Sequence, residues 1–82
     1  MIYYTKNKIL HTISGELFKL NKSEHKLLIC LSNNTCVTYA EIQKYVDRTN
    51  IPRLISRLRK KGLNIITRKE IGYLLKDELY FA

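Results

Sequence analysis

Residues 48–61 carry Arg48, Arg53, Arg57, Arg59, Lys60 and Lys61 and no acid. Cations packed this densely call for phosphate as counter-group. Arg offers a rigid fork of N–H donors that fits phosphate oxygens and the acceptor edge of guanine, and Lys offers a compact charge. Six of the eight net positive charges lie in this segment, while residues 1–47 contribute two and residues 62–82 none. Other chemistry is poorly provided for. His11 and His25 are far apart, and neither sits at metal-ligand spacing from Cys30 or Cys36. Two cysteines do not make a disulfide framework, so both are expected as reduced, partly buried thiols. Nothing orients a Cys–His nucleophile. The stretch around Gly72 lacks the glycine spacing and the Lys-Ser/Thr ending of a phosphate-cradling loop. The expectation is therefore no enzyme, no cofactor and no metal.

The cations must be positioned by a helix. At about 100° per residue, Ile51, Leu54, Ile55 and Leu58 share one arc of roughly 100°. Arg53, Ser56, Arg57 and Lys60 share an equally narrow arc opposite, with Arg59 and Lys61 on its flanks. One face is core and the other is polar and basic. Asn50 is the expected cap, Pro52 falls in the first turn, where a missing N–H does no harm, and Gly62 ends the helix.

The elements before this helix follow from similar signals. Ile2 to Tyr4 is β-prone and Lys6-Asn7 suits a turn. Ile9–Ile13 and Glu16–Leu20 flank Ser14-Gly15, which predicts a hairpin with a two-residue turn. Leu17, Phe18 and Leu20 would give the second strand its apolar contacts. A first helix starts at Asn21, with Glu24 three residues on to complete a capping box. It continues through Leu27-Leu28-Ile29-Cys30-Leu31 and ends at Ser32-Asn33-Asn34. Cys36-Val37 is a short extended piece. A second helix starts at Thr38 with Glu41 in the capping-box position, and Tyr39, Ile42, Tyr45 and Val46 keep helical spacing. Asp47 to Asn50 is a tight connection. After the third helix come strands Asn64–Arg68 and Tyr73–Leu75, joined by Lys69-Glu70-Ile71-Gly72. The tail, Lys76 to Ala82, presents Leu79, Tyr80 and Phe81, either to pack back on the sheet or to help a second copy dimerise.

The order β-β-β-α-α-α-β-β is an α+β winged helix-turn-helix with an N-terminal antiparallel sheet, three helices and a C-terminal hairpin wing. Eighty-two residues suit a single domain spanning 1–82. Apolar residues make up 45% of the chain, enough to fold, yet no run approaches the ~20 needed to cross a bilayer. The N-terminal ten residues do not read as a secretory signal, so a cytoplasmic protein with no membrane partner is expected.

Three segments resemble the OmpR/PhoB-type winged-helix effector domain of bacterial regulators. Leu20-Asn21-Lys22-Ser23-Glu24-His25-Lys26-Leu27-Leu28 is similar to the opening of that family's first helix. Ile55-Ser56-Arg57-Leu58-Arg59-Lys60-Lys61 is similar to its recognition-helix signature. Thr67 to Tyr73, followed by Leu74-Leu75, resembles its wing, which ends in Gly-Tyr. The likeness covers roughly residues 9–75, in the family's order. It implies a transcription regulator that binds double-stranded DNA, with domains in tandem on direct repeats. Three departures stand out. These 82 residues have no room for a phospho-acceptor receiver beside the winged helix, so control by phosphorylation is not expected. The connection between helices two and three is shorter than the family loop that often touches RNA polymerase. In the wing, Lys69 and Glu70 stand where Arg and Gly are usual.

The reading that follows places helix 51–61 in the major groove and wing 67–73 at the adjacent minor groove. The DNA-binding residues would be Arg53, Ser56, Arg57, Arg59, Lys60, Lys61, Arg68 and Lys69, with Arg59 alternatively paired to an acid on helix one or two. Tyr73 is expected in the core of the wing rather than stacked on a base. A homodimer, a larger regulatory partner and RNA polymerase are candidate partners. The competing readings are a winged helix that binds an acidic protein and one that binds RNA, whose A-form major groove is too narrow for a helix.

Overall fold

The computed structural model describes residues 2–33 and 36–81. Four short strands form the N-terminal sheet: β1 (Ile2–Tyr4), β2 (Ile9–His11), β3 (Leu17–Lys19) and, from the far end of the chain, β7 (Leu79–Phe81). Their order is β3-β2-β1-β7. The tail is thus an edge strand parallel to β1, with Tyr3 opposite Tyr80, rather than a segment packed across the sheet. Residue 82, the end of the expected tail, lies outside the described residues.

The β2–β3 hairpin differs from its expected register. His11 faces Leu17, and Thr12 donates its N–H to the Glu16 carbonyl at 3.0 Å. The loop is therefore the three residues Ile13-Ser14-Gly15, with Gly15 left-handed at φ +87°. Glycine at the third position suits a three-residue hairpin, and the Glu16 N–H donates to the Thr12 hydroxyl to secure the turn. Successive side chains of a strand point to opposite faces, so Leu17 cannot share the core face of Phe18. Leu17, expected among the apolar contacts, is 62% exposed, while Leu20 is buried and Phe18 packs against the core.

The first helix, α1 (Lys22–Leu31), is capped as its sequence predicts. The Glu24 N–H donates to Asn21 Oδ1 at 2.8 Å, and the Asn21 N–H donates to Glu24 Oε1 at 3.0 Å. Ser32 follows, its hydroxyl donating to the Ile29 carbonyl; the expected end at Asn34 lies outside the described residues. Next come β4 (Val37–Thr38) and α2 (Tyr39–Gln43). The Thr38 hydroxyl accepts from the Glu41 N–H and donates to the Glu41 carboxylate, each at 3.2 Å. The return bond of a full capping box is missing there, because Thr38 also belongs to a β-ladder, facing Gly72. The helix proper stops before Tyr45 and Val46, although both still donate to the Ile42 carbonyl at 3.0 Å. Val46 is buried and Tyr45 exposed.

The tight connection is a 3-10 turn, Arg48–Asn50, that runs straight into α3 (Ile51–Lys60). This corrects the expected cap. Asn50 already has helical dihedrals (φ −89°, ψ −15°), and its side chain makes no capping bond. A cap needs an extended residue whose side chain can turn back over the first N–H groups, and continuity with the 3-10 turn removes that conformation.

After α3 the chain forms a second sheet of order β4-β6-β5, with β5 (Ile65–Arg68) and β6 (Gly72–Leu75) as the hairpin. Gly72 belongs to the strand rather than to the turn. A Cβ there would sit 1.8 Å from the Val37 carbonyl oxygen, so only glycine allows β4 to lie this close. Both sheets and all three helices share one core, including Tyr4, Leu10, Leu27, Leu28, Ile42, Ile55, Leu58, Tyr73 and Leu75. This is the winged helix-turn-helix arrangement that the sequence predicts.

Candidate nucleic-acid interface

The two faces of α3 separate as expected. Ile51, Leu54, Ile55 and Leu58 are buried, and Arg53, Ser56, Arg57 and Lys60 are exposed. Burial of the first set fixes the rotation of the helix, so the second set must point outward.

The end of α3 sets how the wing leaves it. Gly62 is left-handed at φ +100°. Its N–H donates to the Arg59 carbonyl at 3.0 Å, and the Leu63 N–H donates to the Leu58 carbonyl at 3.3 Å. These two bonds form a Schellman motif, and its usual apolar partners, Leu58 and Leu63, are both buried. The chain turns sharply at Gly62 and enters β5 three residues later.

Arg59, which is exposed, and the half-buried Lys61, both expected on the flanks of the binding face, make contacts within the protein. The Arg59 guanidinium donates from Nε (3.0 Å) and Nη2 (2.7 Å) to the Ile65 carbonyl, and from Nη2 to the Thr67 hydroxyl at 2.9 Å. Its internal partner is therefore the wing strand, not an acid on helix one or two. Lys61 forms an ion pair with Glu24, which is itself only 3% exposed. No local spacing signals this pairing, which spans 37 residues. Burial works to raise the Glu24 pKa. The Lys61 hydrogen bond, the Asn21 N–H and the positive charges of Lys61 and Arg57 outweigh it and hold the carboxyl below its usual value.

Sequence reading also missed the neighbours of Arg53 and Arg57. Together with Asn21 and Ser23 from the start of α1, and with Asn50 and Leu54, they line a polar cleft of about 140 Å³. The start of α1 thus flanks the basic arc on one side. The wing is tied to the end of the same helix by Arg59.

At the wing tip, Arg68, Lys69 and Glu70 are all exposed. The Ile71 N–H donates to the Arg68 carbonyl at 2.9 Å and closes the turn. Glu70 is left-handed at φ +65°, a conformation that glycine adopts without cost and a glutamate does not. The turn itself is held from α2, where the Tyr39 N–H donates to the Ile71 carbonyl at 3.2 Å. Tyr73 is buried, its ring edge-on to Tyr39 with centroids 5.5 Å apart. It is a core residue, as expected.

Of the other chemistry weighed from sequence, Cys30 is half-buried and Cys36 exposed, both free; exposure of Cys36 departs from the partly buried thiol expected. Burial, with a smaller push from Glu41, raises the Cys30 pKa, the opposite of what an activated thiolate needs. Among the described residues no three His, Cys, Asp or Glu side chains gather into a metal site. No helix among them is long and apolar enough to cross a membrane.

Against known structures, the chain is similar to the C-terminal domain of the nisin resistance regulator NsrR, a lantibiotic response regulator. The TM-score is 0.76, the match covers 93% of this chain and 92% of that one, and sequence identity is 23%. The likeness establishes the winged-helix fold. No family model matches the chain, and no curated protein sequence does.

Proposed function

We propose that this chain is a transcription regulator that binds double-stranded DNA sequence-selectively, with α3 in the major groove and the β5–β6 wing at the adjacent minor groove. The observation that carries this reading is the division of α3 into a buried apolar face and an exposed arc of Arg53, Ser56, Arg57 and Lys60, followed by a hairpin whose tip exposes Arg68 and Lys69 and whose first strand is held by Arg59. A helix of this width fits the major groove, where every base pair shows a distinct donor and acceptor pattern. In this reading Arg57 forks onto a base edge, Ser56 bonds to a base or phosphate, and Arg53 and Lys60 neutralise phosphates. Arg68 or Lys69 enters the minor groove. Likeness to the C-terminal domain of a response regulator supports the regulatory setting.

Selection of bound sequences from a random duplex library tests the proposal. A recurrent short motif is the expected result, and its spacing would show whether two copies bind side by side. A folded protein that enriches no sequence would contradict it and favour a winged helix that docks on an acidic protein partner.

A further inference from the structure

Arg59 belongs by type to the cations that should meet DNA, yet three of its N–H···O contacts are spent on the wing. The position of those acceptors matters. β5 is an edge strand, paired only with β6. Lys76 donates to the Asn64 carbonyl, so Asn64 turns its backbone groups toward the sheet. In an antiparallel ladder such groups alternate, and the carbonyl of Ile65 therefore faces the open edge. The Arg59 fork closes over that carbonyl and reaches on to the Thr67 side chain two residues further out along the strand. One side chain of α3 thereby grips the wing at two heights.

Backbone contacts alone leave a degree of freedom. The Schellman turn at Gly62 fixes where the chain leaves α3, and the pairing of Gly72 with Thr38 anchors β6 at the far edge of the hairpin. β5 otherwise meets the helices through the buried Ile65, an apolar contact without direction, and the hairpin turn is held from α2 at Ile71. Arg59 adds the directional tie from α3, and only a planar fork can hold two acceptors in fixed relative positions; a lysine ammonium is a single point on a flexible stem.

We propose that Arg59 is a positioning residue: it sets the angle between α3 and the wing, and so the match between a major-groove and a minor-groove contact, without touching DNA itself. This rests on the DNA-binding reading given above. Its test has two arms. In the first, residual dipolar couplings of the labelled protein without DNA report the orientation of β5–β6 relative to α3. In the second, duplex affinity is measured against salt.

Arg59→Lys and Arg59→Ala are both expected to reorient or loosen the hairpin and to weaken binding to the preferred duplex by about tenfold, the scale of a lost charge-assisted bond. Thr67→Val removes one contact and no charge, and is expected to weaken binding by a smaller factor. Binding restored by Arg59→Lys but lost by Arg59→Ala, with a salt slope shallower by about one unit, would make Arg59 a phosphate contact and overturn the proposal. An unchanged hairpin orientation in all three variants would overturn it as well. Should the parent protein bind no duplex, the functional reading fails, while the orientation arm still decides whether Arg59 sets the wing.

Discussion

Two stretches of α3 carry the same residue types and put them to different uses. On the outward arc, Arg53, Arg57 and Lys60 stand exposed on a helix whose rotation is fixed by its buried side. At the helix end, Arg59 grips the wing strand and Lys61 neutralises Glu24. Each of these side chains adds one positive charge, and a charge count cannot tell them apart. What separates them is the acceptor each can reach. Arg59 lies beside an open carbonyl on a sheet edge, and Lys61 lies beside a carboxylate that α1 has already buried through its capping box. Cationic side chains near a helix end are thus divided between those bonded within the fold and those left facing outward by the neighbours that the fold supplies.

The comparison breaks most severely at Glu24. Glu24→Ala removes the partner of Lys61 and half of the α1 capping box, and is expected to cost about 3–5 kcal/mol of stability, as for other broken buried pairs. A denaturant titration measures it. The pH dependence follows from the same group. Its folded pKa is depressed, so its stabilisation is fully present above the unfolded carboxylate value of about 4.3 and is lost as pH falls through the folded value. Melting temperatures across the acid range should show this loss, and Glu24→Gln should flatten it.

Leu58→Ala tests the rotation of α3 directly. Leu58 is fully buried, and its truncation should destabilise the fold by roughly 2–5 kcal/mol. A melt unchanged from the parent would mean that the apolar and basic faces are misassigned.

Arg57→Ala acts on the other face, where stability should hardly change. The expected cost is roughly 1–3 kcal/mol on the preferred duplex and less on random DNA. Equal losses on both, measured by competition binding, would make Arg57 a phosphate contact.

The smallest effect belongs to Glu70. Glu70→Gly relieves a left-handed backbone, removes a carboxylate beside phosphate and installs the residue usual in the resembling family. Affinity should rise modestly while the melting temperature stays near the parent's; unchanged binding would place Glu70 away from the backbone of DNA, and weaker binding would make its carboxylate a favourable contact.

Much of this arrangement is legible in the sequence because it rests on local rules. The α1 capping box, the two faces of α3, the glycine that ends it and the buried Tyr73 follow from spacing and residue type. What sequence reading missed depends on long-range neighbours. The register of the β2–β3 hairpin turned on a Thr12 side chain that secures a three-residue loop. The cap expected of Asn50 disappeared because a 3-10 turn runs into the helix. Gly72 read as a turn residue, whereas its need comes from Val37, 35 positions away in the chain. The fate of Arg59 and Lys61 rested on acceptors that only the folded chain brings near.

The most direct test of the central claim, that the outward arc and the wing bind duplex DNA, is the salt dependence of that binding. With Arg59 and Lys61 bonded within the protein, we propose Arg53, Arg57, Lys60, Arg68 and Lys69 as the principal contacts. If three to five of them meet phosphates, log K should fall against log salt with a slope of about −3 to −4.5. Lys69→Ala should flatten the slope by about one unit and leave sequence preference nearly intact. A slope near zero in a protein shown to be folded by circular dichroism would contradict the account.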